Sequence, residues 1–383
     1  MAFLDSIISF GTTVLAWAIP FLVVLGLVVF IHEMGHFLIA RLNGVAVEVF
    51  SIGFGPEIGG FHDKHGTRWR VAWIPLGGYV KFLGDENAAS MPSQEAAESV
   101  SPEDRARMFQ FKPVGVRAAV VAAGPFANFI LALVIFAGLF MAYGKAVIEP
   151  RVDEVVAGSP AEEAGFQPGD LILSIDGDEI ESFEEMVRMV GLSAEQPLDM
   201  VVMRDGSRVS LTVTPEIVET ESRFGTARIA RIGIRGAADQ SDVIVKTYGP
   251  LEAVGRSFQE TYFWIKQPII FIGELVGGRA SADQLGGPVR IAQMSKAVAS
   301  IGIPELLRWT AIISISIGLI NLFPIPVLDG GHLVFYGIEA IRGRPLNEKA
   351  QEIGFRIGLA LVLMLMIFVT WNDVVQLIER GGQ

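Results

Sequence analysis

The sequence predicts a polytopic α-helical membrane protein: four transmembrane helices, a membrane-associated β-hairpin or sheet element, and an extracytoplasmic mixed α/β domain. Three observations carry this. Apolar residues make up 51% of the 383, an unusual share for a soluble chain. Four uncharged apolar stretches occur at residues 6–31, 118–144, 309–328 and 357–372. The net charge of −12 is also unevenly placed, with nine basic and nineteen acidic residues between Lys145 and Asp239 and a nearly neutral remainder.

Spanning a bilayer takes about 20 apolar residues. The first three stretches meet this, and the fourth, rich in Leu, Met and Ile, extends into its flanks. The first stretch could be read as a signal peptide. However, Asp5 stands where a basic segment is expected, no small-residue cleavage site follows, and the stretch runs directly into His32, so it reads as a span. Arg and Lys crowd the segments after the first and third helices, which places both in the cytoplasm and the acidic insert outside. The first and third helices then run in the same direction. They deliver His32 and Asp329 near their cytoplasmic ends, at similar depth.

The expected organisation follows. Residues 1–44 form the first transmembrane helix, 45–84 a membrane-reentrant β element turning at Asp63-Lys64-His65-Gly66, and 85–113 a flexible cytoplasmic linker rich in Ala, Ser, Glu and Pro. The second transmembrane helix is 114–144. The insert, 145–240, reads as short strands and helices. Residues 241–305 read as amphipathic membrane-surface helices, since Arg256, Glu260 and Lys266 interrupt them. Residues 306–332 are the third transmembrane helix, 333–355 a cytoplasmic loop and 356–378 the fourth transmembrane helix.

The chain has no cysteine, so a metal would have to be held by His, Asp or Glu. His32-Glu33-Met34-Gly35-His36 is the HExxH pattern. Residues four apart share a helix face, so both imidazoles can reach one ion while Glu33 handles a proton of water. Two histidines and a glutamate at the end of an apolar helix are costly without a purpose. The third ligand is expected from Asp329, at the end of Asn321-Leu322-Phe323-Pro324-Ile325-Pro326-Val327-Leu328-Asp329, where prolines break the helix and Gly330 and Gly331 let the chain turn. Asp329 could instead cap the helix that follows. Glu48 is a weaker candidate, beyond Gly44. Asn321 could bind substrate backbone or tie two helices together. Asn128, in Gly124-Pro125-Phe126-Ala127-Asn128, reads as helix packing, His332 as supporting or structural, and His62 and His65 as solvated.

These segments together resemble the site-2 protease family of intramembrane zinc metalloproteases, and in particular its bacterial regulator of sigma-E protease type. The resemblance rests on HEMGH in the first helix, PLGGYVKFLGDEN after it, GPFAN in the second helix, LGGPVRIAQ, and NLFPIPVLDGGH in the third. It implies one zinc ion held by His32, His36 and Asp329, with Glu33 as catalytic base and Asn321 on the substrate backbone. It also implies that Gly77, Gly78 and Tyr79 belong to a reentrant strand that pairs with an unwound substrate. The substrate class implied is a membrane-embedded protein of the anti-sigma factor type, first cut outside by a site-1-type protease, in the bacterial inner membrane. The insert GSPAEEAGFQPGDLILSIDG resembles a periplasmic PDZ domain; there is room for one, where enterobacterial members carry two. Against proteolysis stands a membrane scaffold or chaperone acting through that domain. A metal or ion transporter is disfavoured because the second and fourth spans contain no acidic or histidine residue. The acidic balance argues against nucleic acid.

Overall fold

The computed structural model describes residues 2–85, 101–193, 195–222, 225–236, 243–277 and 286–381. Two compact units divide the chain, one centred on the apolar helices and the other on the insert.

In the first unit, helix α1 runs from Ala2 to Leu42 without a break. HEMGH therefore lies inside the helix, which ends two residues short of the expected limit at residue 44. Nothing in Phe37-Leu38-Ile39-Ala40-Arg41-Leu42 stops a helix, so the chain turns only at Asn43-Gly44. Strands β1 (Val47–His62) and β2 (Arg68–Phe82) follow. Each strand is bent, and their register describes four segments. Val49 to Ile52 is partnered on one side by Lys81 to Gly78 and on the other by Arg68 to Val71. The latter segment also pairs with Gly59 to His62. Gly53 makes the bend possible: its φ is +90°, and a Cβ there would sit 2.9 Å from the Ile74 carbonyl oxygen. Among the described residues, the segment at Gly78–Lys81 is thus one outer edge of this small sheet, and Gly59–His62 the other.

The turn of the hairpin is tied to α1. Asp63 accepts from Arg41 Nη2 at 2.6 Å, Trp69 Nε1 at 3.1 Å and the backbone N–H groups of His65 and Thr67. Burial would push this carboxyl up, but those donors dominate and hold it down at about 2. Phe37, Phe50, Trp69 and Phe82 fill the space between helix and sheet.

The linker read as flexible falls partly outside the described residues. Its far end is ordered: α2 (Pro102–Arg107) is capped by Ser101, and Met108 and Phe109 are buried. Helix α3 spans Val114–Ala142. After the insert come α6 (Pro250–Val276), α7 (Pro288–Ile301), α8 (Ile303–Asn321), α9 (Asp329–Arg342) and α10 (Glu348–Gly381). The third apolar helix stops at Asn321, short of the expected limit at residue 332, because Pro324 and Pro326 cannot continue it. Asp329 consequently opens α9. The fourth helix is longer than the expected 356–378. Four helices are long and apolar enough to cross a membrane: Ala16–Leu42, Val114–Ala142, Ile303–Asn321 and Lys349–Val375. The amphipathic α6 is not among them. Asp373 of α10 is buried and accepts from the backbone N–H groups of Gly287 and Arg290, both at 3.0 Å, so it caps α7 from another helix.

The insert unit is built on a four-stranded sheet in the order β6–β5–β7–β8 (Asp178–Glu179, Leu171–Ile175, Leu198–Arg204, Ser207–Val213). Helices α4 (Pro160–Ala164) and α5 (Phe183–Leu192) cover a core of Ile172, Ile175, Met186, Met200 and Val202. Strand β3 (Lys145–Ile148) pairs with β12 (Val243–Lys246), so the unit closes on its own two chain ends and runs past the expected limit at residue 240. Two smaller pairs complete it: β4 (Glu154–Val155) with β11 (Ile234–Arg235), and β9 (Glu216–Ser222) with β10 (Gly225–Arg231).

Candidate metal centre

Three side chains from two distant parts of the sequence converge. His36 Nε2 lies 3.2 Å from His32 Nε2. Asp329 Oδ2 lies 3.1 Å from His32 Nε2 and 3.6 Å from His36 Nε2. The side chains of His32, His36 and Asp329 are only 11%, 12% and 17% exposed. Among the described residues this is the group of His, Asp and Glu that could hold a metal ion, with one donor atom from each within 4.8 Å of the others.

Local structure explains each position. The histidines occupy one face of α1 at a spacing of four. Asp329 is delivered by the broken segment after α8. There the two glycines fit closely against the turn: a Cβ at Gly330 would overlap the carbonyl oxygens of Leu322 and Phe323, and one at Gly331 that of Ile325. Helix α9 is held from behind by an ion pair between Arg117 of α3 and Glu339, and the same guanidinium sits 4.9 Å over the Tyr336 ring. Partial burial there pushes the Tyr336 hydroxyl up to about 12.

The donor set fits a divalent metal. Asp329 Oδ2 is a buried oxygen with no hydrogen-bond donor of its own. His36 Nδ1 is 2.9 Å from the Val120 carbonyl oxygen, which can only accept, so Nδ1 donates and Nε2 keeps its lone pair. The second helix makes room for the cluster at Gly124, where a Cβ would overlap His36 Nε2 and come within 2.9 Å of His32 Nε2. Two imidazoles and a carboxylate are the donor set of catalytic zinc sites, which keep a further position for water.

Glu33 lies within electrostatic reach of both histidines and Asp329. A Cβ on Gly78 would sit 2.9 Å from Glu33 Cγ and 2.8 Å from the Ser51 carbonyl oxygen, so the edge strand of the sheet packs directly against Glu33. Gly77 meets the Phe54 ring, and the Tyr79 hydroxyl accepts from Arg70 Nη2 at 2.6 Å. Asn321, the last residue of α8, donates to its own helix at Ile317 O, 3.0 Å. His332 is not part of the three-residue cluster. Sequence reasoning missed two residues that touch it, Gly124 and Asn128. Their spacing of four on a helix is the signal that could have found them.

Helices apolar enough to cross a membrane and a buried His-His-Asp cluster beside a glutamate define a membrane metallohydrolase. The family model of peptidase family M50 matches residues 20–365. A candidate zinc metalloprotease of Rhizobium meliloti is 49% identical over 362 residues, covering 94% of this chain and 97% of that one. The metalloprotease MmpA of Caulobacter vibrioides is 43% identical over 378 residues, 93% of this chain and 94% of that one. The chain belongs to peptidase family M50 and is a zinc metalloprotease. A solved PDZ domain of the SdrC-like protein from Listeria monocytogenes, 20% identical, covers 24% of this chain and 87% of that one at a TM-score of 0.19, too low to bear on the fold.

Proposed function

We propose that this chain is an intramembrane endopeptidase that cuts the membrane-spanning segment of single-span proteins near the cytoplasmic side, with His32, His36 and Asp329 holding one zinc ion. The observation that carries the reading is the packing of an edge strand at Gly78 on Glu33, beside that cluster, within helices long enough to cross a bilayer.

The chemistry of the substrate fits this arrangement. A helical segment hides its peptide bonds in its own hydrogen bonds and must be opened before water can attack. The side of the Gly78–Lys81 segment that has no partner strand among the described residues offers backbone groups to such an opened strand. Asn321 at the broken end of α8 supplies a carboxamide for the same backbone. Bound zinc supplies Lewis acidity, which polarises the scissile carbonyl and makes water a better nucleophile near neutral pH. Glu33 takes the proton from the attacking water and passes it to the leaving amine nitrogen as the peptide bond breaks. The helix bundle around the cluster limits the entry of bulk water.

By the resemblance that its motifs carry, the substrate class is an anti-sigma factor already trimmed outside the membrane by a site-1-type protease. The setting is the bacterial inner membrane, with the insert as a periplasmic PDZ-type domain. The test uses purified protein in liposomes with a single-span reporter. Glu33→Gln should lower cleavage by about 10²–10⁴-fold while zinc content, measured by mass spectrometry, stays at the wild-type value. Cleavage at the wild-type rate would defeat the assignment and favour a non-proteolytic scaffold or chaperone.

A further inference from the structure

The two histidines of the cluster are supported differently by α3. His36 Nδ1 faces a backbone carbonyl, which fixes its tautomer. His32 Nδ1 faces the Asn128 carboxamide, with Nδ2 at 3.3 Å. Asn128 is fully buried, and its Oδ1 has no hydrogen-bond partner. Its backbone carbonyl is occupied by Ser314 Oγ of α8 at 2.9 Å, so the residue is fixed between helices while its carboxamide is aimed at His32.

A carboxamide can present either end to Nδ1, and the two ends select opposite tautomers. With Nδ2 donating to Nδ1, the ring proton sits on Nε2, which cannot then ligate a metal. With the amide turned by 180°, Oδ1 accepts from Nδ1–H, Nδ2 takes the position where Oδ1 has no partner, and Nε2 keeps its lone pair. Only the second orientation leaves both Nε2 atoms free to converge with Asp329 Oδ2. We infer that Asn128 is a positioning residue for zinc: its Oδ1 accepts from His32 Nδ1 and so selects the ligating tautomer, as Val120 O does for His36. A buried asparagine in an apolar helix, read from sequence as packing, thereby acquires a specific task.

This inference rests on the zinc site proposed above, and the test separates the two. Zinc affinity of the purified full-length protein is measured by chelator competition in detergent for wild type, Asn128→Asp and Asn128→Leu. The aspartate keeps an acceptor at the same place; the leucine keeps the bulk and loses it. Outer-shell partners of metal-bound histidines are typically worth 10–100-fold in affinity. Asn128→Leu is therefore expected to bind zinc about 10–100-fold more weakly, and Asn128→Asp as tightly as wild type or tighter. Equal affinity in Asn128→Leu and wild type overturns the inference, as does an equal loss in both variants. If Asn128→Leu does not fold, the wild type decides: a ¹⁵N-histidine spectrum of the zinc-loaded protein should show His32 protonated at Nδ1, and a proton on Nε2 overturns the inference. If the wild type binds no zinc, the metal site itself fails.

Discussion

The two halves of the His-His-Asp cluster are built in opposite ways. His32 and His36 come from the middle of an unbroken helix, where a spacing of four is enough to aim both imidazoles at one point. Asp329 comes from a chain that has just broken: α8 ends at Asn321, two prolines prevent its continuation, and the carboxylate opens the next helix. A regular helix supplies position cheaply but only on its own face. A third donor must arrive from elsewhere, and within apolar helices an irregular backbone survives only where protein covers it. The glycines at 330 and 331 provide that cover by letting the turn close on itself.

This contrast can be broken from either side. The largest effect is expected at the point both halves share. Gly124→Ala puts a methyl group where the two Nε2 atoms lie, so zinc content should fall to near background while the far-ultraviolet circular dichroism is kept. On the broken side, Gly330→Ala forces the Leu322 and Phe323 carbonyls apart and shifts Asp329. Overpacking of about 1–3 kcal/mol, expressed as ligand displacement, should weaken zinc binding by about 10–100-fold in chelator competition. Its counterpart on the continuous helix is Gly26→Ala. Beyond its own stretch of helix, no described atom lies within 4 Å of that Cβ, and zinc affinity should not move.

A smaller effect is expected where the broken side is braced. Arg117→Met leaves the partly buried Glu339 carboxylate without its partner. The expected loss is about 1–3 kcal/mol of stability and less than tenfold in zinc affinity, since the brace acts on α9 as a whole. A wild-type melting temperature would show that the ion pair does not hold α9.

The insert sharpens the comparison because its stability should be independent of the metal. Asp170 is buried and accepts from Arg204 Nε and Nη2, both at 2.7 Å, and from the Gln167 N–H at 2.9 Å. Burial would raise its carboxyl, but these donors outweigh it and hold the group below the usual carboxylate range. The pair therefore stabilises the fold above about pH 4, and the contribution is lost as pH falls through the lowered value. Asp170→Asn should remove this acid-dependent step from a urea-unfolding series across pH 2–6, with zinc content unchanged. An unaltered pH profile would refute the assignment.

Much of the cluster was legible because its chemistry is local. HExxH states its own geometry once a helix is granted, and the proline and glycine run before Asp329 announces a break that presents a carboxylate. The four long apolar helices were likewise visible, because their composition follows from the solvent they are suited to. The helix ends were less visible. The fourth apolar helix runs from Glu348 to Gly381, beyond both expected limits at 356 and 378. The insert runs on to Lys246 because β3 needs β12, almost a hundred residues away.

The sequence by itself therefore determined the residue types, their helical spacing and the presence of a proline break before Asp329, since these depend on backbone sterics and short-range hydrogen bonding. Only the tertiary structure decided that α3 lies against the cluster, with Gly124 leaving room for two imidazoles, Val120 and Asn128 facing their Nδ1 atoms, and Gly78 bringing an edge strand onto Glu33. Those relations depend on how closely separate elements approach, which is set by packing between segments distant in the chain.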